Sequence, residues 1–297
     1  MIVRTDDDVD LHVEVSDGPG LTVVLTHGFT ASSPEWEEQL PVLRGRARIV
    51  RWDHRGHGRS GWTPLSRATI DRTARDLATV LDAVAPTGPV VLAGHSMGGM
   101  TIMALARRRP ELFGDRVVGV FLLATAASRL VDRGPVGTGV ATLRRLHLLH
   151  AGFGGLKLVA PGLERVRRRD SERARRVVRH FLFGRDDADP AAVRRVQELL
   201  ERTPFPVMMA FWATFVSHDE EAALPVVARV PVAVVSASHD QLTPPRHGRR
   251  LAQLLGDAAE LTVVPGAGHA VNTTRPEVVN RALAALLTRA EAYAAAA

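Results

Sequence analysis

Gly94-His95-Ser96-Met97-Gly98 follows an apolar run, Pro89-Val90-Val91-Leu92-Ala93, and leads into Gly99 to Arg107, which has helical spacing. The order is strand, tight turn, helix. In such a turn the central serine is driven into a strained backbone conformation, with its Oγ standing clear of the sheet edge. Side chains at Gly94 and Gly98 would collide across so sharp a bend. The helix that opens there aims unpaired N–H groups and its positive dipole end at the same point. One short segment thus offers a hydroxyl nucleophile and a place for an oxyanion.

Outward from this turn the pattern repeats. Leu11-Val13-Val15 alternates as a half-buried strand, while Leu21 to Thr26 and Arg48 to Trp52 are short apolar runs expected to be buried strands. Pro34 to Leu43 has helical spacing, with Ser33 expected as N-cap and Pro34 at the first helical position. Ile70 to Val84 reads as an amphipathic helix and Val117 to Ala124 as a fully apolar strand. Near-continuous apolar strands separated by helices predict an α/β fold: a mostly parallel central sheet with helices on both faces. The alternation stops at Thr125 and resumes with Pro231 to Ala237, Arg246 to Leu255, Leu261 to Val264 and Glu277 to Ala290. The expected organisation is an α/β core in two parts, 1–124 and 226–297, interrupted by a helical cap insert at 125–225. The Ala294 to Ala297 tail is low in complexity and expected to fray.

Bulk properties exclude several classes. The 297 residues carry a net charge of +6, nearly all of it arginine, with Lys157 the only lysine. The arginines are mixed with acids and lack the stacking aromatics of nucleic-acid binders, so no nucleic-acid partner is expected. The absence of cysteine rules out disulfides and thiolate chemistry. No apolar run reaches the ~18 to 20 residues of a membrane span, and Met1 to Asp10 lacks the apolar core of a secretory signal. A cytoplasmic location is the simplest expectation. Gly56 to Gly61 matches G-x-G-x-x-G, but Trp62-Thr63-Pro64 follows instead of the helix a dinucleotide loop needs. No metal or organic cofactor is implied.

A serine nucleophile needs a base, and the base an orienting acid. After Pro231 to Ala237 comes Ser238-His239-Asp240-Gln241-Leu242-Thr243-Pro244-Pro245; after Leu261 to Val264 comes Pro265-Gly266-Ala267-Gly268-His269. Asp240 and His269 therefore lie just past strand carboxyl ends, where open α/β sheets place their sites. Their order along the chain, Ser, Asp, His, suits this type of turn.

With His27-Gly28-Phe29, Asp53-His54-Arg55-Gly56-His57-Gly58-Arg59-Ser60, Gly94 to Gly99, Asp240 with Thr243-Pro244, and Gly268-His269, the chain resembles the α/β-hydrolase superfamily, in its serine esterase, lipase and perhydrolase-like branch. It departs at Ala237, where relatives often carry Gly three residues before the acid. The resemblance implies Ser96 as nucleophile, His269 as base, Asp240 as acid, and the N–H groups of Phe29 and Met97 as the oxyanion hole. It implies cleavage of a carboxylic ester or related acyl bond in a small apolar substrate, through an acyl-serine. Thioesterase, lactonase, carbon–carbon bond hydrolase, perhydrolase and acyltransferase activities use the same three residues and stay open, as does a ligand-binding receptor with slow turnover. Epoxide hydrolases and dehalogenases need Asp where this chain has Ser96.

Other stretches have two readings each. Phe205 to Phe215 is apolar almost all round; it packs the insert onto the core, or its Met208, Met209, Trp212 and Phe215 line an acyl pocket. Arg165 to His180 is a solvated helix face, with Val177, Val178, Phe181 and Leu182 turned inward, or it attracts an anionic substrate or membrane surface. Gly134 to Gly139 and Gly152 to Gly155 are lid hinges or plain connectors. His95 is expected to pack, His27 to shape the oxyanion loop, His239 to face solvent, and Asp53, His54 and Arg55 to tie their loop to the core. Oligomeric state is not legible in the sequence.

Overall fold

A computed structural model describes residues 1–62, 64–128, 130, 176, 179–184 and 189–296. The glycine stretches at 134–139 and 152–155 lie outside the described residues, as does the basic run 165–180 except for Arg176, Arg179 and His180.

Strands that are apolar from end to end sit at the centre of the sheet, where both faces are covered. Among the described residues the strands are β1 (Ile2–Arg4), β2 (Asp10–Ser16), β3 (Thr22–Thr26), β4 (Arg48–Trp52), β5 (Val90–His95), β6 (Val117–Leu123), β7 (Val232–Ala237) and β8 (Ala259–Val264). Every residue of β5, β6 and β7 is buried. The sheet order is β1-β2-β4-β3-β5-β6-β7-β8. Only the β1–β2 and β2–β4 pairs are antiparallel; the rest run parallel. The chain steps from β3 to β4 on one side and then to β5 on the other. That reversal opens a crevice beyond the carboxyl ends of β3 and β5, where open α/β sheets bind ligands.

The principal helices are α1 (Ile70–Val84), α2 (Met97–Arg108), α3 (Pro190–Arg202), α4 (Phe205–Ser217), α5 (Pro245–Leu255) and α6 (Pro276–Ala296). Alternate strand residues serve opposite cores. Val24, Leu92, Leu122 and Val234 pack with residues of α1, α2 and α5; Val23, Leu25, Ala93 and Val235 pack with Trp36, Leu40, Leu43 and residues of α6 on the other face. α3 and α4 fall between β6 and β7, with Asp189 capping α3 through the N–H groups of Ala191 and Ala192. No helix among the described residues is long and apolar enough to cross a membrane.

Two local expectations change. Ser32, not Ser33, precedes the helical stretch, and it makes no side-chain cap bond; residues Ser33–Gln39 form a 3₁₀ helix before Leu40–Leu43 turns α-helical. Pro41 has no N–H to give the Glu37 carbonyl, and Leu40 N–H takes that carbonyl in the tighter pattern. The tail does not fray at Ala294, because α6 continues to Ala296 with Tyr293 and Ala294 packed against the core.

Candidate active site

Ser96 follows β5 directly, at φ 51°, ψ −114°. A non-glycine residue there stores roughly 1–3 kcal/mol of strain, which its surroundings must hold. They do so from both sides: Ser96 N–H donates to Leu123 O at 2.9 Å, and Thr125 Oγ1 donates to Ser96 O at 2.7 Å. The glycines permit the bend: a Cβ on Gly94 would meet the Gly98 carbonyl carbon at 2.5 Å, and one on Gly98 would strike the Thr26 carbonyl.

Asp240 follows β7 in a turn that its own carboxylate folds. Oδ1 accepts from the N–H groups of Leu242 and Thr243, both at 2.8 Å, and Oδ2 from Thr243 Oγ1 at 2.7 Å. His269 Nδ1 lies 2.7 Å from the same Oδ2. Burial alone would push the Asp240 carboxyl up; the His269 imidazole and the Thr243 bonds outweigh it and hold Asp240 below the usual carboxylate range. This partner fixes the proton of His269 on Nδ1 and leaves Nε2 as a proton acceptor. The His269 loop is pinned by Gly266 N–H to Ser238 Oγ and His239 N–H to Ala267 O. His239 itself is exposed.

Ser96 and His269 line one cavity of about 450 Å³ at the carboxyl ends of β3 and β5. No hydrogen bond joins Ser96 Oγ to His269 Nε2; such bonds are commonly long before substrate binds. Phe29 also lines the cavity, and Met97 is the first residue of α2. Neither residue's N–H donates to another group among the described residues.

The opposite wall is apolar. Met208, Trp212 and Phe215 share one face of α4 and line the cavity; Met209 is turned away by the helical repeat and does not. Val207 and Phe211, on another face, are fully buried, and Phe211 stands 5.3 Å from the His57 ring. Phe181 and Leu182 also line the cavity; Leu182 packs against Phe183, Ala192 and Val193, whereas Phe181, expected to turn inward, is 43% exposed.

The loop after β4 is structural in its contacts. Asp53 Oδ1 accepts from Ser33 N–H and Oδ2 from Arg59 N–H; Arg55 is fully buried against Asp76 and Asp7. No α-helix follows Gly61 before Ile70 among the described residues; a short 3₁₀ turn occupies Leu65–Arg67. His27 accepts from His54 N–H through Nε2 and bonds Gly28 O through Nδ1. The residue that sequence reasoning missed is Glu35. Its Oε1 lies 2.9 Å from His95 Nδ1, and its Oε2 accepts from Gly28 N–H at 2.8 Å. Sixty residues separate Glu35 from His95, and no local spacing rule links them.

The sequence pattern of the alpha/beta hydrolase fold family matches residues 22–276, and the chain belongs to that family. It is a hydrolase. It is 31% identical over 288 residues to a putative carbamate hydrolase, RutD, of Variovorax paradoxus, covering 95% of this chain and 97% of that protein. The corresponding protein of Azorhizobium caulinodans is 30% identical over 280 residues, covering 93% and 94%. Among solved structures, a thermophilic esterase from Thermogutta terrifontis superimposes with a TM-score of 0.77 at 26% identity, covering 98% of both chains.

Proposed function

We propose that this hydrolase cleaves a carboxylic ester with an apolar acyl or alcohol group, using Ser96 as nucleophile, His269 as general base and Asp240 as its orienting acid. One observation carries the reading: a serine held at left-handed φ borders the same cavity as a histidine whose far nitrogen is fixed by a buried carboxylate. His269 Nε2 takes the Ser96 proton as Oγ attacks the acyl carbon. The carbonyl oxygen becomes an oxyanion held by the N–H groups of Phe29 and Met97, each worth roughly 3–4 kcal/mol in such sites. Collapse breaks the bond to the leaving alkoxide, which takes the proton from His269. Water, deprotonated by His269, then attacks the acyl-serine and releases the acid and Ser96.

The helices α3 and α4, within the 125–225 insert, serve as the cap that sets substrate choice, through Met208, Trp212 and Phe215. Flexible and aromatic side chains suit varied apolar groups. A second reading, carbamate cleavage, is favoured by the RutD relatives, which are named putative carbamate hydrolases. It needs the same attack, on a carbonyl that bears nitrogen. A panel of p-nitrophenyl esters of rising chain length, thioesters, lactones and carbamates, run with wild type and Ser96→Ala, separates these readings. Ester turnover that disappears in the variant supports the first; turnover confined to carbamates supports the second.

A further inference from the structure

The buried histidines near the site differ in what their ring nitrogens face. His27 bonds a carbonyl through Nδ1 and accepts an N–H through Nε2, which is what a neutral imidazole can do. For His57, burial pushes the imidazole down to about 3, so it too is neutral. His95 is different. Its Nε2 lies 3.2 Å from the carbonyl oxygen of His269, and its Nδ1 lies 2.9 Å from Glu35 Oε1. A carbonyl only accepts, and so does an ionised carboxylate; facing both, the ring must donate through both nitrogens and is an imidazolium. The side chains are 5% and 11% exposed, so each charge needs the other. Burial lowers His95 and raises Glu35, but the attraction between them outweighs both, leaving His95 above and Glu35 below their ordinary values.

These two residues touch three loops of the site. Glu35 Oε2 holds Gly28 N–H, beside Phe29. His95 precedes Ser96 in the strained turn, and its ring holds the backbone of His269, with ring centroids 4.8 Å apart. A Cβ on Gly28 would meet His95 Nδ1 at 2.8 Å, so the loop is moulded to this ring. Asn272 Nδ2 bonds Glu35 O from the far side.

We propose that Glu35 and His95 are an ionised positioning pair that locks the Gly28–Phe29 loop, the Ser96 turn and the His269 loop in mutual register. The idea deepens the proposed function and rests on Ser96 and His269 acting as nucleophile and base.

The test is ¹⁵N NMR of wild-type protein labelled at histidine, with His95 assigned through bonds from its own amide, so that no variant is required. Both ring nitrogens are expected to be protonated across neutral pH. A neutral His95, with the shared proton on Glu35, overturns the proposal. In Glu35→Gln, kcat should fall up to about 100-fold with KM little changed. Glu35→Asp should recover part of the loss. Wild-type kcat in a folded Glu35→Gln likewise overturns it. Labelling of Ser96 by a fluorophosphonate in wild type checks the underlying reading separately: its failure removes the nucleophile, and the NMR result still decides the pair.

Discussion

On the sheet side of the cavity, Asp240 gathers Leu242, Thr243 and His269 through directional bonds of 2.7–2.8 Å, and Glu35 and His95 join three loops. On the helix side, Met208, Trp212 and Phe215 border the same space with apolar surface. The two walls respond differently to change. A displaced polar atom loses a bond that water does not restore in a buried site. An apolar wall changes its shape by degrees and still excludes water. The proposed chemistry at the strand ends can therefore persist while the helices between β6 and β7 vary the shape of the cavity.

The sharpest way to break this contrast is at Ser96. Ser96→Ala should lower ester turnover by about 10⁴-fold or more, measured as initial rates on p-nitrophenyl esters. Asp240→Asn should cost about 10⁴-fold while circular dichroism stays that of wild type, because the amide misdirects His269 without emptying space.

Adjacent residues of α4 sharpen the contrast within one helix. Phe211 is fully buried and Trp212 is 42% exposed at the cavity. Phe211→Ala should lower unfolding free energy by about 3–5 kcal/mol in denaturant titrations. Trp212→Ala should leave stability within about 0.5 kcal/mol, yet shift kcat/KM between short and long acyl chains by about 10-fold. Equal stability losses in the two variants would erase the distinction between packing face and lining face.

The smallest effect concerns pH. His95 is raised above its ordinary 6.5, so its share of stability is full below that value and is lost as pH rises through the folded-state value. Glu35 is lowered below its ordinary 4.5, so its share is present above that value and is lost as pH falls through the folded-state value. The stability gap between wild type and Glu35→Gln should therefore be widest between about pH 4.5 and 6.5 and narrow on both sides. A gap independent of pH would mean that the pair is not ionised.

Much of this was legible in the sequence where physics is local. The span Ile70–Val84 was readable from its apolar period and Arg48–Trp52 from its β-branched run. The glycines flanking Ser96 could be read because a bend that tight excludes Cβ atoms. Illegible were features set by distant partners. β1 is only three residues long and pairs with β2 at the sheet edge, too short to show a period. The 3₁₀ geometry of Ser33–Gln39 depends on a missing N–H at Pro41 more than on any spacing. Met209 looked equivalent to Met208 until the helix was oriented against the cavity. Glu35 lies within the Pro34 to Leu43 stretch with no local spacing that marks it, because its meaning comes from His95 and Gly28, brought to it by the sheet.

The central claim is that Ser96 is the group that attacks the acyl carbon. Reaction with a fluorophosphonate, followed by intact mass and peptide mapping, addresses it directly. The account predicts one adduct per chain, on the peptide containing Ser96, formed at a rate that collapses in His269→Ala. An unmodified Ser96 in protein that still turns over esters, or an adduct on another residue that tracks loss of activity, would contradict it.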